Sequence, residues 1–270
     1  MPYIELPEKR IHYRQYGSGQ PILFLHGLSF DSRMWRPQYD GLENDFLLLG
    51  VDFRGHGFSD APDTDYTLDT YVDDITTLLN GLHLPSVIIV GLSLGGAIAL
   101  EFALRYPGRC RGMMLVSSAM DGHSWSRAWE EMMGRFHNCG DYRTLKTKLR
   151  EYWLQDPMFA GIRNKMEYSQ MLQSMAETFS GKPILRGNFH NQKKVPTEKR
   201  LHRLRCPVSV ISGAEDRMDF RRIARTLGSR VHRVEWHELE GIGHMVNLEA
   251  PERFNRLLEG FIYRVEAGGI

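Results

Sequence analysis

Short aliphatic runs alternate with amphipathic stretches along most of this chain. Residues 21–26, 46–52, 87–90, 113–117 and 208–212 are rich in consecutive apolar side chains, and 231–238 carries Val231, Val234 and Trp236; all six have the length of strands. Residues 68–82, 95–106, 220–227 and 251–265 instead carry apolar positions at helical spacing, as in Phe254, Leu257, Leu258 and Phe261. This alternation predicts an α/β fold built on a mostly parallel sheet with helices on both faces. Parallel neighbours need crossover connections, and the covered strands are then apolar on both sides. Residues 11–16 are expected to open the sheet as an antiparallel hairpin.

The alternation stops between residues 120 and 205, where the periodicity is helical throughout. Trp125, Ala128, Trp129, Met132, Met133 and Phe136 fall on one helical face, Leu145, Leu149, Tyr152 and Trp153 on a second, and a third helix is expected over 166–179. Seven of the 13 methionines and three of the five tryptophans lie in this stretch, giving it adaptable apolar surface. Packing the helices together accounts for most of that surface. Trp125, Trp129, Met132, Met133 and Trp153 are the candidates to line a substrate pocket. On this reading a core of residues 1–119 and 206–270 is interrupted, after the sixth strand, by a helical lid of residues 120–205.

Composition narrows the function classes. At 42% hydrophobic and 25% charged residues, the chain is an ordinary globular sequence. A formal net charge of +1 supplies no field to gather nucleic acid or anionic lipid, and Lys193-Lys194 reads as a solvated pair. Cys110, Cys139 and Cys206 have no metal-site or disulfide spacing and are expected to be buried thiols. Residues 1–10 carry acidic residues and prolines where a secretory signal needs an apolar core, so a cytoplasmic protein, monomer or homodimer, is expected. The apolar stretch 87–104 is interrupted by Ser93, Gly95-Gly96 and Glu101, which fits a strand turning into a helix better than a membrane span.

That stretch also holds the strongest chemical signal, Gly91-Leu92-Ser93-Leu94-Gly95. A serine at the tip of a strand-to-helix turn needs small neighbours because the backbone crowds itself there, and the glycines supply the room. The helix N-terminus beside it favours developing negative charge. In this context the sequence resembles the α/β-hydrolase superfamily over nearly all of the chain except the insertion, most closely its small esterases, enol-lactonases and cofactor-free haloperoxidases. Phe24-Leu25-His26-Gly27-Leu28 resembles the family's turn that donates an oxyanion-hole N–H, which the resemblance carries to Leu28, with the second donor from Leu94. Asp52-Phe53-Arg54-Gly55-His56-Gly57-Phe58-Ser59 resembles a structural turn of the family. A dinucleotide fingerprint is the rival for Gly55 and Gly57, but Asp60 stands at the third glycine position.

Serine needs a general base, and the base a carboxylate to fix its tautomer. His244, in Gly241-Ile242-Gly243-His244-Met245 after the last strand, stands where the resemblance places the catalytic histidine. For the acid, the resemblance selects Asp216, three residues after Gly213. Glu215 and Asp219 compete, and Asp121 holds the position that some relatives use instead. Ser93, Asp216 and His244 occur in the order nucleophile, acid, base. The resemblance implies hydrolysis of a carboxylic ester or lactone through an acyl-enzyme, without cofactor or metal. The expected partner is a small-molecule substrate with an apolar or aromatic acyl group, although Arg127, Arg135 and Arg163 leave an anionic one open. Alternatives are hydrolysis of a carbon–carbon bond in a diketone, a haloperoxidase or perhydrolase reaction and, from another class, a ligand receptor or a non-hydrolytic catalyst.

Overall fold

The computed structural model describes residues 2–6, 9–187 and 195–269, so Lys193-Lys194 lies outside the described residues. Eight strands form one sheet: β1 (Tyr3–Leu6), β2 (Lys9–Tyr16), β3 (Gln20–Leu25), β4 (Phe46–Val51), β5 (Val87–Leu92), β6 (Cys110–Val116), β7 (Val208–Gly213) and β8 (Val234–Leu239). They lie in the order β1-β2-β4-β3-β5-β6-β7-β8. The hairpin expected over 11–16 begins earlier, with β1 antiparallel to β2 and β2 antiparallel to β4; every later pairing is parallel.

Alternate strand residues face opposite layers. Ile22 and Phe24 of β3 join the core beneath α1 (Arg36–Leu42) and α11 (Pro251–Glu266), while Leu23 and Leu25 join the core beneath α2 (Leu68–Gly81), α3 (Leu94–Arg105) and α9 (Met218–Arg230). The helix expected over 220–227 therefore extends at both ends. It runs to Arg230, where the Val231 amide still bonds back to Leu227 O at 3.1 Å, so the strand expected from residue 231 starts only at Val234.

Between β6 and β7 every regular element described is helical. The longest are α4 (Arg127–His137), α5 (Tyr142–Lys148) and α7 (Met166–Thr178); α6 (Ala160–Arg163) and α8 (Lys182–Arg186) are short. On α4, Trp129, Met132, Met133 and Phe136 are buried, but Ala128 is exposed. A π-type turn, Leu149–Trp153, continues α5. Leu145, Leu149 and Trp153 keep a spacing of four and are buried, whereas the widened turn leaves Tyr152 at 47% exposure, off the face expected for it. A last short helix, α10 (Val246–Glu249), precedes α11. Cys110, Cys139 and Cys206 are buried free thiols. No helix among the described residues is long and apolar enough to cross a membrane.

The turn after β4 ties the layers together. Buried Asp52 accepts from His12 Nδ1–H (2.8 Å), Ser32 N–H (2.9 Å) and Phe58 N–H (3.0 Å). Arg54 donates twice to the buried carboxylate of Asp74 on α2, at 2.6 and 2.7 Å.

Candidate active site

Ser93 stands between the last residue of β5 and the first of α3 and turns the chain with φ 54° and ψ −112°. That conformation costs a residue with a side chain roughly 1–3 kcal/mol and persists only where its surroundings over-determine it. Here they do. Ser93 N–H donates to Val116 O (3.0 Å), and its carbonyl accepts the amides of Gly96 (3.0 Å), Ala97 (3.2 Å) and Ala119 (3.0 Å). The glycines are demanded by contact: a Cβ on Gly91 would lie 2.5 Å from Gly95 O, one on Gly95 would strike Leu25 O, and one on Gly96 would strike Ser118 Oγ. The Leu94 amide opens α3 and is one of the donors a helix cannot satisfy internally, so partial positive charge gathers beside Ser93.

The facing turn follows β3. His26 is fully buried; its Nδ1–H donates to Gly27 O (2.8 Å) and its Nε2 accepts Phe53 N–H (3.0 Å). These bonds fix a neutral imidazole, and burial lowers its pKa although the bond to Gly27 works the other way. The ring thereby pins the turn that presents Leu28, and the next residue, Ser29, is held at φ 67°.

His244 is 2% exposed and Asp216 6%. Nδ1–H of His244 donates to both Asp216 oxygens, at 3.0 and 2.9 Å, which leaves Nε2 as the ring's acceptor. Asp216 Oδ1 also accepts Arg217 N–H at 2.7 Å. The competing carboxylates are engaged elsewhere or solvated. Asp219 accepts Ser126 N–H and Oγ–H, both at 2.7 Å, Asp121 accepts Thr197 N–H at 3.2 Å, and Glu215 is exposed. The hydrogen bonds of the described residues do not include one from Ser93 Oγ to His244. Phe220 connects the two regions: its ring centroid lies 4.4 Å from that of His244, and it lines the same cavity as Ser93.

Leu28, Leu94, Trp125, Trp129, Met133 and Trp153 line that cavity too. Trp125 stacks on Trp129 at 4.8 Å, and Trp129 meets Phe220 edge-on at 5.2 Å, so part of the cavity wall is aromatic. Met132, expected with them, is not among the lining residues; its sulfur instead accepts from Arg217 Nη2 at 3.5 Å. Consecutive helical residues point about 100° apart, and on α4 it is Met133 that faces the cavity. Among the described residues no group of three or more His, Cys, Asp or Glu is disposed to hold a metal ion.

Residues 22–257 match the model of the alpha/beta hydrolase family. The chain belongs to that family. Among relatives of this hydrolase, 2-(acetamidomethylene)succinate hydrolase of Mesorhizobium japonicum is 34% identical over 78% of this chain and 87% of that protein. The AB hydrolase superfamily protein YisY of Bacillus subtilis is 29% identical over 91% of this chain and 92% of its own. Of solved structures, Est816, described as an N-acyl homoserine lactone degrading enzyme, superposes with a TM-score of 0.72 at 26% identity, over 96% of this chain and 100% of that one.

Two further contacts support the hydrolase's candidate site. The Asp156 carboxylate, in the segment between β6 and β7, binds Arg217 next to Asp216, with one bond at 3.0 Å. Glu249 accepts the amides of Gly243 (2.8 Å) and Met245 (3.1 Å), on either side of His244. The first pair is 61 residues apart and has no local signal. The second has one: a glutamate one helical turn beyond Met245, close to capping-box spacing.

Proposed function

We propose that this hydrolase cleaves a carboxylic ester or lactone, with Ser93 as nucleophile, His244 as general base and Asp216 as the carboxylate that orients His244. The buried His244–Asp216 pair carries this reading: it commits Nδ1 to Asp216 and frees Nε2 to take a proton. As Ser93 Oγ attacks the carbonyl carbon, Nε2 removes its proton, and the N–H groups of Leu28 and Leu94 receive the oxyanion. The tetrahedral intermediate expels an alcohol that takes the proton back from His244. A water deprotonated by Nε2 then attacks the acyl-enzyme, releasing the carboxylic acid and restoring Ser93; with a lactone both groups leave as one hydroxy acid. Residues 120–205 act as a lid on the core formed by 1–119 and 206–270. The tryptophans and Met133 favour an apolar or aromatic acyl group. Relatives described as acting on an acylated homoserine lactone and on an acetamidomethylene succinate support acyl transfer as the chemistry.

A panel of chromogenic esters and lactones, varied in acyl size and charge, tests this. Turnover should be highest with neutral apolar or aromatic acyl groups, and Ser93→Ala should lower it by about four to six orders of magnitude with far less effect on binding. Absence of turnover on every ester and lactone would contradict the assignment.

A further inference from the structure

His244 sits on a loop whose three successive amides are each given an acceptor. Gly243 N–H and Met245 N–H donate to the two carboxylate oxygens of Glu249, at 2.8 and 3.1 Å, and His244 N–H donates to Met158 O at 3.1 Å. Glu249 is 9% exposed. Its neighbours are packed closely around it: a Cβ on Gly243 would lie 3.0 Å from Oε1, and one on Gly161 of α6 would collide with Oε2. Lys165 adds two bonds behind it, from Nζ to the carbonyls of Glu249 (2.7 Å) and Leu248 (3.3 Å).

Taking His244 as the base of the serine-hydrolase reading, on which this inference rests, we propose that Glu249 is a positioning residue that sets the height and tilt of the His244 imidazole by clamping the amides on both sides of it. Burying a carboxylate for shape alone is unfavourable. Burial indeed raises the Glu249 pKa, the two amide bonds and the proximity of His244 oppose the rise, and Asp216 adds to it. Two charge-assisted bonds to amides two residues apart on one loop are the compensation. They hold the segment in the plane where Nδ1 meets Asp216. A base displaced by about 1 Å costs on the order of 10²-fold in rate, so the rigidity of this loop bears directly on kcat. Gly161 then has a role as well: it is the gap in the insertion through which the carboxylate reaches the loop.

Two variants test the clamp. Glu249→Gln keeps the shape but places an amide donor against one of the two N–H groups; Gly161→Ala leaves Glu249 in place and pushes its carboxylate aside. Both are expected to lower kcat by about 10- to 100-fold with KM changed less than about threefold. Both are also expected to weaken or shift the low-field proton resonance of His244 Nδ1–H in NMR spectra, while folded spectra persist. A wild-type resonance together with wild-type kcat in both variants would overturn the proposal. If the wild-type protein itself turns over no ester or lactone, the hydrolase reading fails by that result, and the NMR resonance still decides whether Glu249 positions the imidazole.

Discussion

At the scale of single residues, Ser93 holds its turn at φ 54° and ψ −112° against closely packed backbone. Ser93 is marked by its glycines because each answers a contact within a few residues or with an adjacent strand: Gly95 with Leu25 O, Gly96 with Ser118. His244 and Asp216 are candidates that the family resemblance supplies, with the order nucleophile, acid, base in agreement. The Asp156–Arg217 pair and the Met158 carbonyl on His244 N–H join segments that meet only once the sheet has formed. The choice between acids can be tested directly. Asp216→Asn should lower turnover by about 10⁴-fold, because the asparagine stabilises the wrong imidazole tautomer, whereas Asp121→Asn should change turnover by less than tenfold. The reverse ranking, measured as kcat/KM on one ester, would move the acid to Asp121.

At the scale of elements, strands and core helices were legible because burial on both faces or on one stripe leaves a period in the sequence. The helical segment between β6 and β7 was less so. Its helices bury apolar residues against each other and around the cavity at once, so a single stripe cannot say which side a residue takes. Met132 and Tyr152 illustrate this: the first turns to Arg217 and the second is carried outward by the π-type turn. Trp129 is the element's central contact, meeting Trp125, Trp153 and Phe220. Trp129→Ala should lower kcat/KM for aromatic acyl esters by about 10- to 100-fold relative to acetyl esters, the loss of one apolar subsite being worth about 1–3 kcal/mol. Equal losses on both substrates would place Trp129 outside the acyl subsite and leave it a packing residue.

At the scale of the whole molecule, buried titratable groups tie stability to pH. Burial lowers the pKa of His26 and of His56, the latter also through His26. Asp52 lies well below the usual carboxylate range: burial alone would raise it, but the bonds from His12, Phe58 and Ser32 dominate. A depressed folded pKa gives stability that is complete above the unfolded value and is lost as pH falls. The two histidines therefore withdraw support as pH drops below about 6.5, and Asp52 below about 4. Glu249, with its raised pKa, acts in the opposite sense, its contribution being complete below about 4.3 and lost as pH rises. The denaturant midpoint should fall between pH 7.5 and pH 5, and His56→Asn should flatten the profile. A midpoint unchanged over that range would remove these histidines from the account.

The same sheet that buries those groups brings the strained turn of Ser93 into one cavity with Leu28, Leu94 and Phe220, whose ring meets that of His244. The most direct measurement of that arrangement is the intact mass of the protein after incubation with a fluorophosphonate, followed by peptide mapping. One adduct per chain, on Ser93, formed rapidly by the wild type and not by Ser93→Ala or His244→Ala, is the predicted result; no adduct, or one on another serine, would contradict it.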